Sequence, residues 1–294
     1  MLFRSVEAAR QSDVVVIVVG GKSGLNPECT SGEAVDRATL GLPGVQRQLV
    51  EAVAATGKPV VVVVVDGRPL ALPWIAEHIP ALLMAWLPGE EGGSAIADVL
   101  FGKCDAGGRL PVTLPRGVGQ VPVFYAHRPS GGRSHWYGNY ADLPTSPLYA
   151  FGHGLSYTSF SYDGLCIAPA QAGPTGSVTI SVDVTNRGRR AGDEVVQLYV
   201  HDPIASVTRP VQELRGFQRL HLEPGECRTV TFRLAVSQLG FHDRDMRFVV
   251  EPGTIEVQVG ASSADIRQAG AFEITGPVTD VSAHKVYTTS VEVR

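Results

Sequence analysis

The chain has 294 residues, 44% hydrophobic and 18% charged, with 25 Lys and Arg against 29 Asp and Glu for a net charge of −4. That length suits about two ordinary domains, and the composition excludes extended disorder. The dispersed, slightly acidic charge excludes the basic footprint of a nucleic-acid binder, and the longest apolar runs, Val14–Val19 and Val60–Val65, are too short to span a bilayer.

From the start to about residue 115 the pattern alternates between apolar runs and amphipathic stretches. Val14–Val19, Val60–Val65 and Ala81–Leu87 are continuous apolar runs, which predicts parallel strands buried on both faces. A helix is predicted over 44–56, with Val45, Leu49, Val50 and Val53 on one face and Gly57 with Lys58-Pro59 as its stop. A further short helix is predicted over 93–101. The alternation implies a doubly wound α/β layer, a mostly parallel sheet flanked by helices. Between Val19 and Gly44 more than twenty residues show no clear period. Such a loop is ordinarily functional or disordered, and it leaves the carboxyl end of a parallel strand, where open α/β sheets place ligand sites.

Residues 116–175 are rich in Gly, Pro, Ser and aromatics and show little period. From about residue 176 the period becomes two. Val178, Ile180, Val182 and Val184 alternate with polar residues, as do Val230, Phe232, Leu234 and Val236, and then Ile255, Val257 and Val259. Glu-Pro-Gly at 223–225 and 251–253 is read as two turns. Together these predict an all-β sandwich of immunoglobulin-like dimensions. The expected organisation is an α/β domain over 1–125, a linker packed on both domains over 126–175, the sandwich over 176–276 and a tail over 277–294.

Several site signals fail on inspection. Cys29, Cys104, Cys166 and Cys227 are widely spaced without C-x-x-C, so neither a zinc site nor a disulfide scaffold is indicated. Gly21-Lys22-Ser23 has the look of a phosphate-binding loop, but Val16 stands where its first glycine is required. No Gly-x-Ser-x-Gly elbow is present. No leader pattern stands before Leu2-Phe3-Arg4, and the compartment stays open.

The long loop carries Ser31-Gly32-Glu33-Ala34-Val35-Asp36-Arg37, then Leu42-Pro43-Gly44-Val45-Gln46. This resembles the G-E-x-x-x-R…L-P-G-x-Q segment of glycoside hydrolase family 3, the β-glucosidase and β-xylosidase type. Further matches follow in the family's order: Gly67-Arg68-Pro69-Leu70, Ala85-Trp86-Leu87-Pro88-Gly89-Glu90-Glu91-Gly92-Gly93 and Gly108-Arg109-Leu110-Pro111-Val112-Thr113-Leu114-Pro115. Gly119-Gln120-Val121-Pro122-Val123, Phe151-Gly152-His153-Gly154-Leu155-Ser156-Tyr157-Thr158, Glu194-Val195-Val196-Gln197-Leu198-Tyr199-Val200, Gly216-Phe217 and Val259-Gly260-Ala261-Ser262-Ser263 extend the series to nearly the whole chain.

The resemblance implies a barrel, then an α/β sandwich domain, then a fibronectin type III-like domain, in a retaining enzyme acting on β-linked oligosaccharides or aryl and alkyl glycosides. It places the nucleophile, an aspartate, on the barrel, and the general acid/base on a loop of the sandwich domain, where Glu33 occupies the motif position. Glu28 is a substitute candidate. Asp36 and Arg37 are expected to pin the loop by an ion pair, and Glu90 and Glu91 to sit at a helix N-terminus as dipole partners. Trp86, Tyr199, Phe217 and Phe232 read as core, and Arg209 with Asp202 as a loop contact. Trp136 and Tyr137, in Ser134-His135-Trp136-Tyr137, are candidates for lining a sugar subsite. The chemistry calls for no cofactor and no metal. The chain reads as the C-terminal portion of such an enzyme, inactive without the barrel; the alternatives are one chain of a split enzyme and a non-catalytic carbohydrate-binding scaffold.

Overall fold

The computed structural model describes residues 2–25, 29–30, 36–129 and 139–294. They fall into two compact units. The first takes in Met1–Phe101, Thr113–Val123 and Asn139–Tyr149; the second takes in Gly102–Val112, Phe124–Gly138 and Ala150–Arg294. The units interleave along the chain, so single cuts at 125 and 175 do not separate them.

The first unit runs α1 (Leu2–Arg10), β1 (Val15–Gly20), α2 (Gln46–Ala54), β2 (Val60–Val65), α3 (Pro73–His78), β3 (Ala81–Met84) and α4 (Gly92–Leu100). The three strands form a parallel sheet in the order β1-β2-β3, with Val15 opposite Val60 through Gly20 opposite Val65, and Val61 opposite Ala81 through Val64 opposite Met84. Six consecutive valines in β2 suit a pleated strand that packs on both faces. Ala9 of α1, Val50 and Val53 of α2, and Ile75 of α3 join Ile17, Val19, Val62 and Val64 in one apolar cluster.

Two sequence expectations change here. The three strands follow one another without a reversal, and α1, α2 and α3 all feed one cluster on one face of the sheet. Crossovers of constant hand in a constant direction put successive helices on one face. Consequently β1 is not buried on both faces: Val16 and Val18 are 50% and 63% exposed. Val45 is exposed as well, because α2 starts only at Gln46.

The second unit contains β4 (Phe160–Ala168), β5 (Gln171–Ala172), β6 (Ser177–Asn186), β7 (Gly192–His201), β8 (Glu213–Leu222), β9 (Cys227–Ala235), β10 (Phe241–His242), β11 (Phe248–Val250), β12 (Gly253–Ser262), β13 (Asp265–Ile274), β14 (Thr279–Asp280) and β15 (Ser290–Val293). Sheets β5-β13-β12-β7-β8 and β15-β9-β6-β4 make the sandwich, and β10-β11-β14 is a small third sheet. All the pairings in it are antiparallel apart from the short β13–β5 contact. The alternating residues of β6, β9 and β12 read from the sequence are all buried in one core. β4 and β15 come from the stretches read as linker and tail.

Tyr199 and Phe232 lie in the interior, but Phe217 is 63% exposed. Leu220 and Leu222 point inward from β8, so an odd position on that strand points out. The turn at 223–226 closes through Glu226 N–H to the Glu223 carbonyl (2.9 Å) and carries the chain from β8 in one sheet to β9 in the other. Glu251-Pro252-Gly253 instead bends straight into β12. Among the described residues no helix is long and apolar enough to cross a membrane.

Candidate functional site

The carboxyl ends of β1, β2 and β3 meet at one edge of the first unit. β1 ends at Gly20, where φ is +145° and a Cβ would collide with the Val65 carbonyl of the neighbouring strand. Only glycine permits that approach. Gln46, the first residue of α2, reaches back to the same peptide: it accepts from the Gly20 N–H (2.7 Å) and donates to the Gly20 carbonyl (2.9 Å). The glutamine of L-P-G-x-Q therefore ties the helix to the strand end across the long loop.

Asp66 follows β2 and is only 2% exposed. Its N–H donates to the Trp86 carbonyl (3.1 Å), joining the ends of β2 and β3. Burial raises the pKa of its carboxyl, against the backbone N–H groups of Arg68, Gly21 and Gly67 and the Arg68 charge, all of which favour the ionised form. The side chain thus closes the turn after β2 as an aspartate does in an Asx turn, with Arg68 N–H at 2.9 Å. Trp86 is half-buried at the rim of this edge, with φ +54° held by that hydrogen bond. A left-handed non-glycine residue costs about 1–2 kcal/mol and stops β3 short of the predicted Leu87.

The loop after β1 is described on both sides of residues 31–35. Lys22 and Thr30 pair through Lys22 N–H to Thr30 Oγ1 (2.7 Å) and Thr30 N–H to the Lys22 carbonyl (2.8 Å). On the far side, Ala71 N–H donates to the Leu40 carbonyl (2.8 Å). Arg68 reaches between the two: Nη1 donates to the carbonyls of Thr30 (3.4 Å) and Thr39 (3.3 Å) and lies 3.1 Å from Asp36 Oδ1. Asp36 therefore pairs with Arg68, not with Arg37, which offers it only a backbone N–H (2.7 Å). A carboxylate beside its sequence neighbour is easily reached by that neighbour's backbone, while the guanidinium that arrives from another strand end is not visible in local sequence.

Glu33, the candidate acid/base, lies outside the described residues, as do Glu28, Trp136 and Tyr137. Glu91 precedes α4 without a side-chain capping bond, and both it and Glu90 are exposed. In the second unit Arg209 pairs with Glu213 (2.9 Å) more closely than with Asp202 (4.0 Å). Among the described residues no group of three His, Cys, Asp or Glu side chains is placed to hold a metal.

Sequence reasoning missed Asp66, Arg68 and Gln46 as working parts of this edge, although Gly67-Arg68-Pro69-Leu70 and the L-P-G-x-Q glutamine were both in view. The available signal was a charged pair, Asp66 and Arg68, directly after a six-valine strand.

The family model for the glycosyl hydrolase family 3 C-terminal domain matches residues 2–157, and that for the fibronectin type III-like domain matches residues 194–263. The chain is 47% identical over 262 residues to a β-xylosidase of Formosa agariphila, covering 88% of this chain and 35% of that protein. It is 42% identical to the periplasmic β-glucosidase of Salmonella typhimurium, covering 93% and 36%. Among solved structures, a β-glucosidase of Erythrobacter marinus superposes with a TM-score of 0.87 at 43% identity, over 93% of this chain and 36% of that one. A β-glucosidase of Listeria innocua in complex with glucose gives 0.86 at 36% identity, over 95% and 39%. The chain thus spans about a third of the length of these relatives.

Proposed function

The chain belongs to glycoside hydrolase family 3, of which it carries the C-terminal and fibronectin type III-like domains, and on that premise we propose that it supplies the general acid/base, Glu33, to a retaining β-glycosidase of the β-glucosidase type. The observation that carries the reading is where the residues flanking the motif segment lie: Thr30 and Asp36 both meet Arg68 at the carboxyl end of β2, the edge at which an open α/β sheet presents its chemistry.

In this reading the nucleophile is an aspartate of a family 3 barrel, outside these 294 residues. The Glu33 carboxylic acid protonates the glycosidic oxygen as the aspartate attacks the anomeric carbon from the opposite face. The aglycone leaves as an alcohol and a glycosyl ester forms. The Glu33 carboxylate then takes a proton from water as that water displaces the aspartate, and the anomeric configuration is retained. The two carboxyls must stand about 5–5.5 Å apart for this, so the loop has to hold its glutamate at the barrel's mouth. Trp136 and Tyr137 are the candidates for lining a sugar subsite, aromatic faces being suited to the apolar face of a pyranose.

The test is nitrophenol release from an aryl β-glucoside by the chain, alone and mixed with a separately expressed family 3 barrel, with Glu33→Gln in parallel. The expected result is turnover only with the barrel, reduced about 10²–10⁴-fold by the substitution. Turnover insensitive to Glu33→Gln rejects the assignment. Sugar affinity that survives Glu33→Gln and depends on Trp136 or Tyr137, with no turnover in either setting, identifies a carbohydrate-binding scaffold instead.

A further inference from the structure

Arg68 stands at the turn after β2, far in sequence from the motif loop, yet its guanidinium touches both ends of the segment that carries Glu33. Six peptide steps separate Thr30 from Asp36, enough to extend roughly 20 Å, but both meet at one nitrogen, Arg68 Nη1. The same nitrogen also bonds the Thr39 carbonyl further along the returning strand of the loop. We propose that Arg68 is a positioning residue for the acid/base: it clasps the two stems of segment 31–35 and so sets where Glu33 is delivered. This rests on the assignment of Glu33 made above.

The clasp is itself fixed from below. The Arg68 backbone is held by Asp66, which is buried and also gathers the N–H groups of Gly21 and Gly67. Gly21 follows β1 directly, and Lys22 next to it pairs with Thr30. The strand ends, the Asp66 turn and the Arg68 guanidinium thus form one connected support that reaches Thr30 and Asp36. One nitrogen meets all three acceptors, and the rigid guanidinium plane fixes where that nitrogen sits; a lysine ammonium on a flexible stem carries donors without a plane to orient them. Positional error matters in this chemistry, because a shift of about 1 Å at a reacting group can cost about 10²-fold in rate.

Amide exchange measured by NMR on this chain reads the stems directly. The amides to follow are Thr30, bonded to the Lys22 carbonyl, and Ala71, bonded to the Leu40 carbonyl. Arg68→Met is expected to speed exchange at both by at least about tenfold while amides within β2 keep their protection, and Arg68→Lys to fall in between. Asp36→Asn breaks the same clasp without touching the turn after β2, and should speed Thr30 exchange too. Unchanged exchange at Thr30 and Ala71 overturns the proposal. So does a loss of protection throughout β2 in Arg68→Met together with no effect of Asp36→Asn.

The catalytic consequence is read from leaving groups in whichever preparation hydrolyses aryl β-glucosides. A misplaced acid hurts substrates whose leaving group needs a proton and spares those that do not. Arg68→Met should therefore lower kcat/KM about 100-fold for phenyl glucoside but only a few-fold for the dinitrophenyl compound, with the slope seen for Glu33→Gln. A uniform fall across leaving groups signals lost folded protein and overturns the role. If the stems loosen but Glu33→Gln shows no dependence on the leaving group, the acid/base assignment falls, the positioning role falls with it, and Arg68 is a structural clasp alone.

Discussion

Asp193 is a mostly buried carboxylate whose partners are the Arg219 guanidinium and His221 Nδ1 (2.8 Å). Burial acts to raise its pKa, but the hydrogen bonds and charges of Arg219 and His221 outweigh it and hold the carboxyl below its ordinary 3.8. A carboxyl whose folded pKa is depressed contributes stability above its unfolded value, and that contribution disappears as pH falls through the folded value. Asp193→Asn is therefore expected to lower the urea midpoint at pH 7 by the equivalent of about 1 kcal/mol, the partners being largely solvent-exposed. The gap to wild type should hold down to about pH 4 and close below it; a gap that persists at pH 2 would contradict the cause given. Glu194 runs the other way. Burial raises its pKa despite Arg109 at 2.9 Å, so its protonated form is favoured on folding and that contribution is lost as pH rises.

Segments rather than single residues explain most of the matched motifs. The stretch Phe151–Ser156 is laid against β7 by Gln197, which donates to the carbonyls of Gly152 (3.1 Å) and Ala261 (2.6 Å) and accepts from the Tyr199 hydroxyl (2.6 Å). Leu110 N–H bonds the His153 carbonyl (2.9 Å), and Gly152 N–H bonds the Leu110 carbonyl (2.8 Å). Arg109 and Glu194, with side chains 8% and 7% exposed, form a buried pair beneath them. Gly152 has φ +79°, and a Cβ there would run into the Gln197 amide. Gly152→Ala combines a left-handed alanine with displacement of a buried amide that serves three partners, for an expected cost of about 3 kcal/mol or more. Thermal denaturation followed by near-ultraviolet dichroism should show it. A change within 1 °C would mean that Gln197 has another place to go.

For the whole molecule, the exposed face of β1 is the feature with the largest consequence. β1 is an edge strand in the described sheet and presents Val16 and Val18 to solvent on one face. An unpaired strand edge beside exposed valines is a template for association. Sedimentation over a concentration series should show self-association of this chain, and Val18→Lys should suppress it without changing the far-ultraviolet spectrum. A monomer at all concentrations would show that the edge is protected in solution.

Period and parity were enough to read the sandwich: β6, β9 and β12 bury the residues that alternation selected, because side-chain direction in a strand is a local property of the backbone. Parity would also have turned Phe217 outward, had Leu220 and Leu222 been taken as the reference for its strand. The parallel strands were legible from their apolar runs, and the loop that carries Glu33 from its length and motif. Chain direction through the sheet was not, since a run of valines does not say whether its neighbour lies to the left or the right. Nor was the clasp. Gln46 meets Gly20 across 26 positions, and Arg68 meets Thr30 across 38. Such partners are chosen by where strand ends and loop stems arrive in space. The sequence alone determined the parallel strands, the alternating strands of the sandwich core, the family and the candidate acid/base; only the tertiary structure decided which distant side chains hold that loop's ends, because those contacts exist only once the sheet has brought its carboxyl edge together.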